Sequence, residues 1–458
     1  MGLKHVLVLP YPAQGHVNPL MHLSQKLVQH GCKVTFVNTE FNHKRVVNAM
    51  NGKVSLDGSK VELVSVPDGL GPEEDRNDHA GLILSMERTM PSDLERLIRD
   101  INSMDGGSNG ITSIICDTYM AWGLEVAQKL GIKGAIIIPS SAAILALEDN
   151  IPKLIEDGIM DSDGLPIKKG KFQLTPNMPN VNIADMPWSC FEDDFSKKTI
   201  YHYLAKTIKW SHLSDWWLSN TTQELEPGAL SLCPKILPIG PIKESPEFRS
   251  LGQFWREDHS CLTWLDQQPP CSVIYVAFGS STMFDTNQFK ELALGLELTN
   301  RPFLWVVRDE DSNNSNGNTN HHKYPDEFQC TKGKIVKWAP QQMVLKHPAI
   351  ACFISHCGWN STMDGVSNGV PFLCWPYFAD QVIDKTYICE VWKVGLGFDE
   401  DERGIISRWE IKKKVVELLG DEDIKGRSKK MKDMVMNNIA KDGNSTHNFN
   451  KFMKWLSE

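Results

Sequence analysis

Two successive series of short apolar strands, each alternating with helix-patterned stretches, constrain this chain more than any other feature. In the first half, β-branched runs predict strands over 6–10, 33–38, 61–66, 111–116 and 135–139, with helical spacing over 19–30 and 121–130. The second series opens with a strand over 272–278 and a helix over 287–298. Strands over 303–307, 334–337, 351–355 and 371–375 follow. Such alternation calls for right-handed crossovers and mostly parallel sheets, giving two successive α/β halves. Between them the pattern loosens. Residues 160–195 are polar and proline-rich, and the stretch around Trp210, Trp216 and Trp217 reads as helical. Residues 241–260, which follow Gly240 and contain Pro241 and Pro246, read as a linker. The expected organisation is therefore a first domain over 1–240, a linker over 241–260, a second domain over 261–440, and a closing helix within 441–458 that returns to the first domain. The Asn-, Asp- and Ser-rich run 309–322 reads as an exposed loop.

At 458 residues the chain can bury full cores without disulfide or metal staples. Its net charge of −9 is spread along the sequence with no basic arm, which disfavours a nucleic-acid partner. The 11 cysteines are scattered with no Cys-x-x-Cys pair, so neither a disulfide framework nor a zinc site is indicated. No run of about 18 apolar residues is present, so no transmembrane segment is expected. The opening apolar stretch is too short for a secretory signal, and the expected location is cytoplasmic.

In open α/β sheets ligands gather beyond the carboxyl ends of the strands, so those residues carry the functional reading. After the first strand comes Gly15-His16, and after the fourth Cys116-Asp117-Thr118. If those strands are neighbours, a carboxylate bonded to one imidazole nitrogen would raise the basicity of the other and make His16 a general base. His16 lining a turn and Asp117 capping a helix is the plainer alternative. In the second half, Ser355-His356-Cys357-Gly358-Trp359-Asn360-Ser361-Thr362 joins a strand to a helix start through a glycine, as an anion site requires. An ordinary capped helix would look much the same. Gly279-Ser280-Ser281 is a second hydroxyl-bearing turn, Trp338 offers a flat face for a base, and Asp380-Gln381 could clamp sugar hydroxyls. No Gly-x-Gly-x-x-Gly, Walker-type loop or Gly-x-Ser-x-Gly elbow is present.

Taken together, these residues resemble the signature box of plant family-1 UDP-glycosyltransferases, from Trp338-Ala339-Pro340-Gln341 through His356-Cys357-Gly358-Trp359-Asn360-Ser361 to Asp380-Gln381. Pro12-Ala13-Gln14-Gly15-His16, Gly240-Pro241 and Trp264-Leu265-Asp266 resemble other parts of that family, so the likeness covers the whole chain. It implies an α/β fold of two Rossmann-like, doubly wound domains facing across a cleft, the glycosyltransferase type B arrangement. The donor would lie on the second domain and the acceptor on the first. By the same resemblance, Trp338 stacks on uracil, the Ala339 backbone pairs with its edge, and Gln341 reaches the ribose. His356, Asn360 and Ser361, helped by Ser280, hold the diphosphate, while Trp359, Asp380 and Gln381 contact the sugar. The terminal Gln381 resembles members that use UDP-glucose. Asp364 stands where the family usually has Glu for the ribose hydroxyls, one methylene shorter. His16 and Asp117 match the family's base and its orienting acid.

The implied reaction is inverting transfer from UDP-glucose to a hydroxyl of a small lipophilic plant metabolite (flavonoid, other phenolic or terpenoid). It needs no resident cofactor and no metal, and the protein is expected to act as a monomer. Tyr11, Met120, Ser140, Ser141, Met186 and Trp188 are acceptor-pocket candidates by position. Two alternatives stand beside this reading. One is a metal-dependent type A glycosyltransferase using Asp309-Glu310-Asp311; the other is a nucleotide-sugar-binding protein without transferase activity.

Overall fold

A computed structural model describes residues 4–50, 61–104, 110–191, 193–245, 251–308 and 324–458. The acidic run Asp309-Glu310-Asp311, the rest of the polar loop and Pro246 lie outside the described residues. The chain divides into two compact units, Met1–Arg256 with Asn437–Glu458, and Glu257–Met436.

The first unit is built on β1 (His5–Leu9), β2 (Lys33–Thr39), β3 (Val61–Val66), β4 (Ser113–Asp117) and β5 (Lys133–Ile138). A small antiparallel hairpin of β6 (Lys171–Phe172) and β7 (Val181–Asn182) intervenes before β8 (Trp216–Ser219) and β9 (Ile236–Pro238). Seven of these strands form one parallel sheet in the order β3-β2-β1-β4-β5-β8-β9. Val6, Val8, Phe36, Ile115, Ile137 and Leu218 are fully buried in its core, as expected of parallel strands covered on both faces. Trp216 and Trp217 are therefore strand residues, not helical ones: Trp217 pairs with Ile136 inside the sheet, where aromatic side chains are favoured. The stretch proposed as a linker is also corrected in part. Ile242, Leu251 and Phe254 are buried in the first unit's core, because their apolar side chains gain more by packing there than by bridging through water.

The helix after β1 runs over Gln14–Gln29, starting earlier than its apolar spacing suggests, with Pro19 inside it. A 25-residue helix, His79–Ser103, has no counterpart in the sequence reading. The closing helix spans Asn444–Ser457 and places Phe449, Phe452 and Leu456 in the first unit's core.

Glu226 is a fully buried carboxylate in this unit. Its two oxygens accept from Ala142 N at 3.0 Å and Ala143 N at 2.9 Å, closing the amino end of the helix Ala142–Asp149. Burial pushes its pKa from 4.5 to about 7, with the hydrogen bonds opposing. The folded state then binds more protons than the unfolded chain between those values. The stability this group contributes is complete below its unfolded pKa and is lost as pH rises through about 7. In urea unfolding, the stability difference between the native protein and Glu226→Gln should shrink from pH 5 to pH 8 by on the order of 3 kcal/mol. A difference that stays constant over that range contradicts this assignment.

The second unit repeats the plan with β10 (Val273–Ala277), β11 (Phe303–Val306), β12 (Gly333–Val336), β13 (Ile350–Ser355), β14 (Phe372–Cys374) and β15 (Gly395–Gly397). Its parallel sheet has the order β12-β11-β10-β13-β14-β15. Ile274, Leu292, Phe303, Ile354, Leu373 and Ile411 anchor its core. Among the described residues, no helix is long and apolar enough to cross a membrane.

Candidate functional site

Each sheet has one place where the direction of strand addition reverses, and there the connecting loops part to leave a crevice. In the first unit that place lies between β1 and β4, whose register sets Leu9 beside Cys116. His16 sits in the first turn of the helix after β1, and Asp117 is the last residue of β4. The fold therefore brings together two residues 101 positions apart: His16 Nδ1 lies 2.8 Å from Asp117 Oδ2. Asp117 is wholly buried, while the His16 side chain keeps 21% of its surface exposed. The other carboxylate oxygen accepts from Tyr119 N at 2.9 Å, which fixes the orientation of the acid. With Nδ1–H donating to Asp117, the lone pair falls on Nε2.

Two aromatic rings flank this imidazole, Tyr11 at 5.1 Å and Tyr119 at 5.4 Å between centroids. Burial, and then the Asp117 charge, push the Tyr11 phenol far above its ordinary pKa, so it stays neutral at physiological pH. Sequence reasoning missed Tyr119, although it lies only two residues beyond Asp117. It also missed His79, the first residue of the unrecognised helix. Burial lowers the His79 pKa, Asp78 and Asp75 oppose this, and His16 is close enough to add to the lowering.

The acceptor-pocket candidates fare unevenly. Tyr11 and Ser140 retain a little surface, at 7% and 8%, and Tyr11 does adjoin His16. Met120 and Ser141 have none, and Met186 and Trp188 only 1% each. Trp188 donates through Nε1 to Gly164 O at 2.9 Å and packs edge-on against Tyr201. These four are core residues that present no face to a ligand in this structure. Proximity in sequence to a strand end did not reveal which way their side chains turn.

The second unit's reversal lies between β10 and β13, and the expected donor turns occupy it. Gly279 and Ser280 follow β10; His356 to Gly358 follow β13. A Cβ added at Gly279 would lie 2.6 Å from His356 Nε2, and one at Gly358 would lie 2.7 Å from the same atom. The imidazole is thus held between two backbones that only glycine allows so close. Burial pulls His356 down to about 4, a backbone hydrogen bond at Ala277 opposing, so the ring is neutral at pH 7. It can meet an anion as a hydrogen-bond donor, not as a full charge. Gly358 caps the helix Trp359–Asn368, which carries half-buried Asn360 and buried Ser361 in its first turn. Backbone N–H groups at such an end favour phosphate oxygens.

Around that helix the other residues expected to hold the donor gather. Gln341 donates through Nε2 to Ser361 Oγ at 3.0 Å and to Asp364 Oδ2 at 2.9 Å, so one amide orients both a hydroxyl and the acid. Trp338 is half-buried after β12, its carbonyl accepting from Asp258 N, and Ala339 is 6% exposed. Gln381 Oε1 accepts from Tyr377 N and Phe378 N, closing its own loop after β14 beside half-buried Asp380. Trp359 is only 2% exposed and packs 6.1 Å from Trp392; its indole backs the helix and offers almost no surface to a sugar. Arg308, which the sequence reading passed over, ties down the turn after β10 by donating to the carbonyls of Ser280 and Thr282. The Gln341→Ala substitution should release Asp364 and weaken UDP affinity about fivefold, measured by calorimetry. Unchanged affinity would mean that the Gln341 contacts do not prepare the donor site.

Two doubly wound units, each with polar residues collected at the reversal of its sheet, match the architecture expected of a type B glycosyltransferase. Known proteins agree. Residues 225–435 match the family described as UDP-glucoronosyl and UDP-glucosyl transferase, and residues 4–64 match the glycosyltransferase N-terminal domain. UDP-glycosyltransferase 83A1 of Arabidopsis thaliana is 44% identical, over 100% of this chain and 97% of that protein. The 7-deoxyloganetin glucosyltransferase of Catharanthus roseus is 32% identical over 99% and 96%. Among solved structures, Phytolacca americana UGT2 complexed with UDP-2-fluoro-glucose and pterostilbene superposes with a TM-score of 0.80, at 25% identity over 99% of each chain. Os79 from O. sativa in complex with UDP gives 0.79 at 25% identity, covering 98% of this chain and 100% of that one. The chain belongs to the plant family-1 UDP-glycosyltransferases, enzymes of the type B fold that move a glycosyl group from a UDP-sugar to a small molecule.

Proposed function

We propose that this enzyme transfers glucose from UDP-glucose, with inversion, to a hydroxyl group of a small lipophilic metabolite such as a flavonoid, another phenolic or a terpenoid. The observation that carries the reading is the bond between His16 and a wholly buried Asp117. In this mechanism His16 Nε2 takes the acceptor's hydroxyl proton as its oxygen attacks the anomeric carbon from the face opposite UDP. Asp117 stabilises the imidazolium that forms. Negative charge gathering on the departing diphosphate is met by the amino end of the helix Trp359–Asn368 and by a hydrogen bond from neutral His356. Trp338 stacks on uracil, Asp364 holds the ribose, and Asp380 and Gln381 orient the hexose.

The sugar assignment is supported by Gln381 at the end of the signature box and by relatives named as glucosyltransferases, including (R)-mandelonitrile beta-glucosyltransferase of Prunus dulcis. The Tyr11 and Tyr119 rings beside His16 favour an acceptor with a flat apolar body. The deciding experiment is a matrix of UDP-sugars against hydroxylated acceptors, with products identified by mass spectrometry and their anomeric configuration by NMR. A β-glucoside from the α-linked donor is expected. Retention of configuration overturns the mechanism, and tight UDP binding with no turnover across the panel favours a silent binding protein.

A further inference from the structure

Beside the His16–Asp117 pair, one residue is gripped from several directions at once. Tyr119 lies in the single turn Thr118–Met120 that follows β4, and it keeps part of its surface exposed. Its N–H donates to Asp117 Oδ1 at 2.9 Å, and its carbonyl accepts from the Tyr203 hydroxyl at 2.6 Å. Its own hydroxyl donates to Glu148 Oε1 at 3.2 Å. Its ring lies 5.4 Å from the His16 imidazole at an interplanar angle of 41°, and it meets Tyr11 edge-on at 6.1 Å. Two helices supply the outer grips. Buried Tyr203 stands on the helix Asp194–Ser211, and Glu148, only 1% exposed, on the last turn of the helix Ala142–Asp149. Glu226 closes the amino end of that second helix, so Glu148 is delivered at a fixed height about 9 Å further along its axis.

These contacts settle what the Asp117 bond leaves open. A single hydrogen bond at Nδ1 fixes one point of the imidazole, not the plane of its ring, and 21% of the side chain is open to solvent. The tilt that aims Nε2 is left to the aromatic neighbours. Tyr119 serves as a wall only if its own ring is held, because a tyrosine fixed by its backbone alone still turns about two side-chain bonds. The bond to Glu148 removes that freedom. Burying a carboxyl group is costly unless it is hydrogen-bonded, so a glutamate behind this tyrosine calls for a role. We propose that Glu148 is a positioning residue for the general base, holding the Tyr119 ring by its hydroxyl so that His16 Nε2 points at the acceptor oxygen. It acts through Tyr119 and forms no bond to the reacting atoms. The assignment rests on His16 as the base, as proposed above. A base misaimed by about an ångström already loses a large factor in rate, so loosening the ring should slow transfer and spare nucleotide binding.

The test compares Glu148→Ala, Glu148→Gln, Tyr119→Phe and the Glu148→Ala/Tyr119→Phe double variant as full-length proteins. The readouts are kcat and KM for a hydroxylated acceptor at saturating UDP-glucose, with UDP affinity measured by calorimetry. Glu148→Ala and Tyr119→Phe should each lower kcat about tenfold, with UDP affinity within about twofold. The double variant should fall no further than either single one, since both remove the same bond. Glu148→Gln keeps an oxygen for the Tyr119 hydroxyl and should return to within about threefold of the native kcat. A glutamate that only anchors its helix gives another pattern: a lower melting temperature with native kcat, which overturns the proposal. Additive losses in the double variant, or a glutamine variant as slow as the alanine one, overturn it too. Should Glu148→Ala fail to fold, Tyr119→Phe decides alone, and native kcat there sinks the idea. His16→Ala is the control. Turnover retained in it overturns the base itself, whereas turnover lost in it but native in Tyr119→Phe overturns only the role of Glu148.

Discussion

His16→Ala is expected to lower turnover by about a thousandfold while leaving UDP affinity within about twofold. The size follows from the role proposed for the ring: without a base there, the acceptor oxygen would attack with its proton in place, or pass the proton to water. The selectivity follows from where the ring is. His16 belongs to the first unit, whereas the turns and helix ends that suit a diphosphate belong to the second. Folding should survive, since the side chain is partly exposed and leaves no large void. The measurement is a progress curve for a hydroxylated acceptor under saturating UDP-glucose, paired with UDP calorimetry. Turnover within tenfold of the native enzyme would remove His16 from the proton transfer, and the Asp117 bond would then be structural.

The second large effect is expected at a residue with no functional group. Gly358→Ala places a methyl 2.7 Å from His356 Nε2, and the Gly279 backbone stands close on the same ring, near enough that a Cβ there would also fall 2.6 Å from Nε2. The backbone at Gly358, with φ −54° and ψ 143°, suits any residue, so strain in the chain itself does not confuse the result. Loss of glycine as a helix cap costs at most about 1 kcal/mol. The displaced imidazole and the altered helix entrance should together weaken UDP by about thirtyfold, seen in calorimetry or in the inhibition of turnover by UDP. An alanine variant that binds UDP normally would show that His356 can adapt its position freely.

These two sites were unequally legible. His16 and Asp117 could be picked out because each follows an apolar strand, and a parallel sheet gathers such ends; only the adjacency of β1 and β4 had to be assumed. The family was legible because dispersed, chemically distinctive side chains keep one register from Trp338 to Gln381. Burial was not legible. Met186 and Trp188 lie within a polar, proline-rich stretch, yet both are buried, Trp188 packing against Tyr201. His79 was hidden because its helix, which contains Pro91 and mixes polar with apolar residues, gave no clear starting point. Trp216 and Trp217 read as helical from local spacing, yet pairing within the sheet decided their conformation. Local pattern places backbone elements; the direction of a side chain depends on neighbours far away in sequence.

The closing helix has a consequence for how the molecule comes into being. Phe449, Phe452 and Leu456 seal the same core as Val6 and Phe36, so a segment made before the second unit and one made after it complete one another. During synthesis the amino-terminal half must wait, with part of its apolar interior uncovered, until the second unit has been made. The second unit suffers no such delay, because its sequence is continuous. Vulnerability to aggregation or to chaperone capture should therefore concentrate in the part of the protein that is translated first.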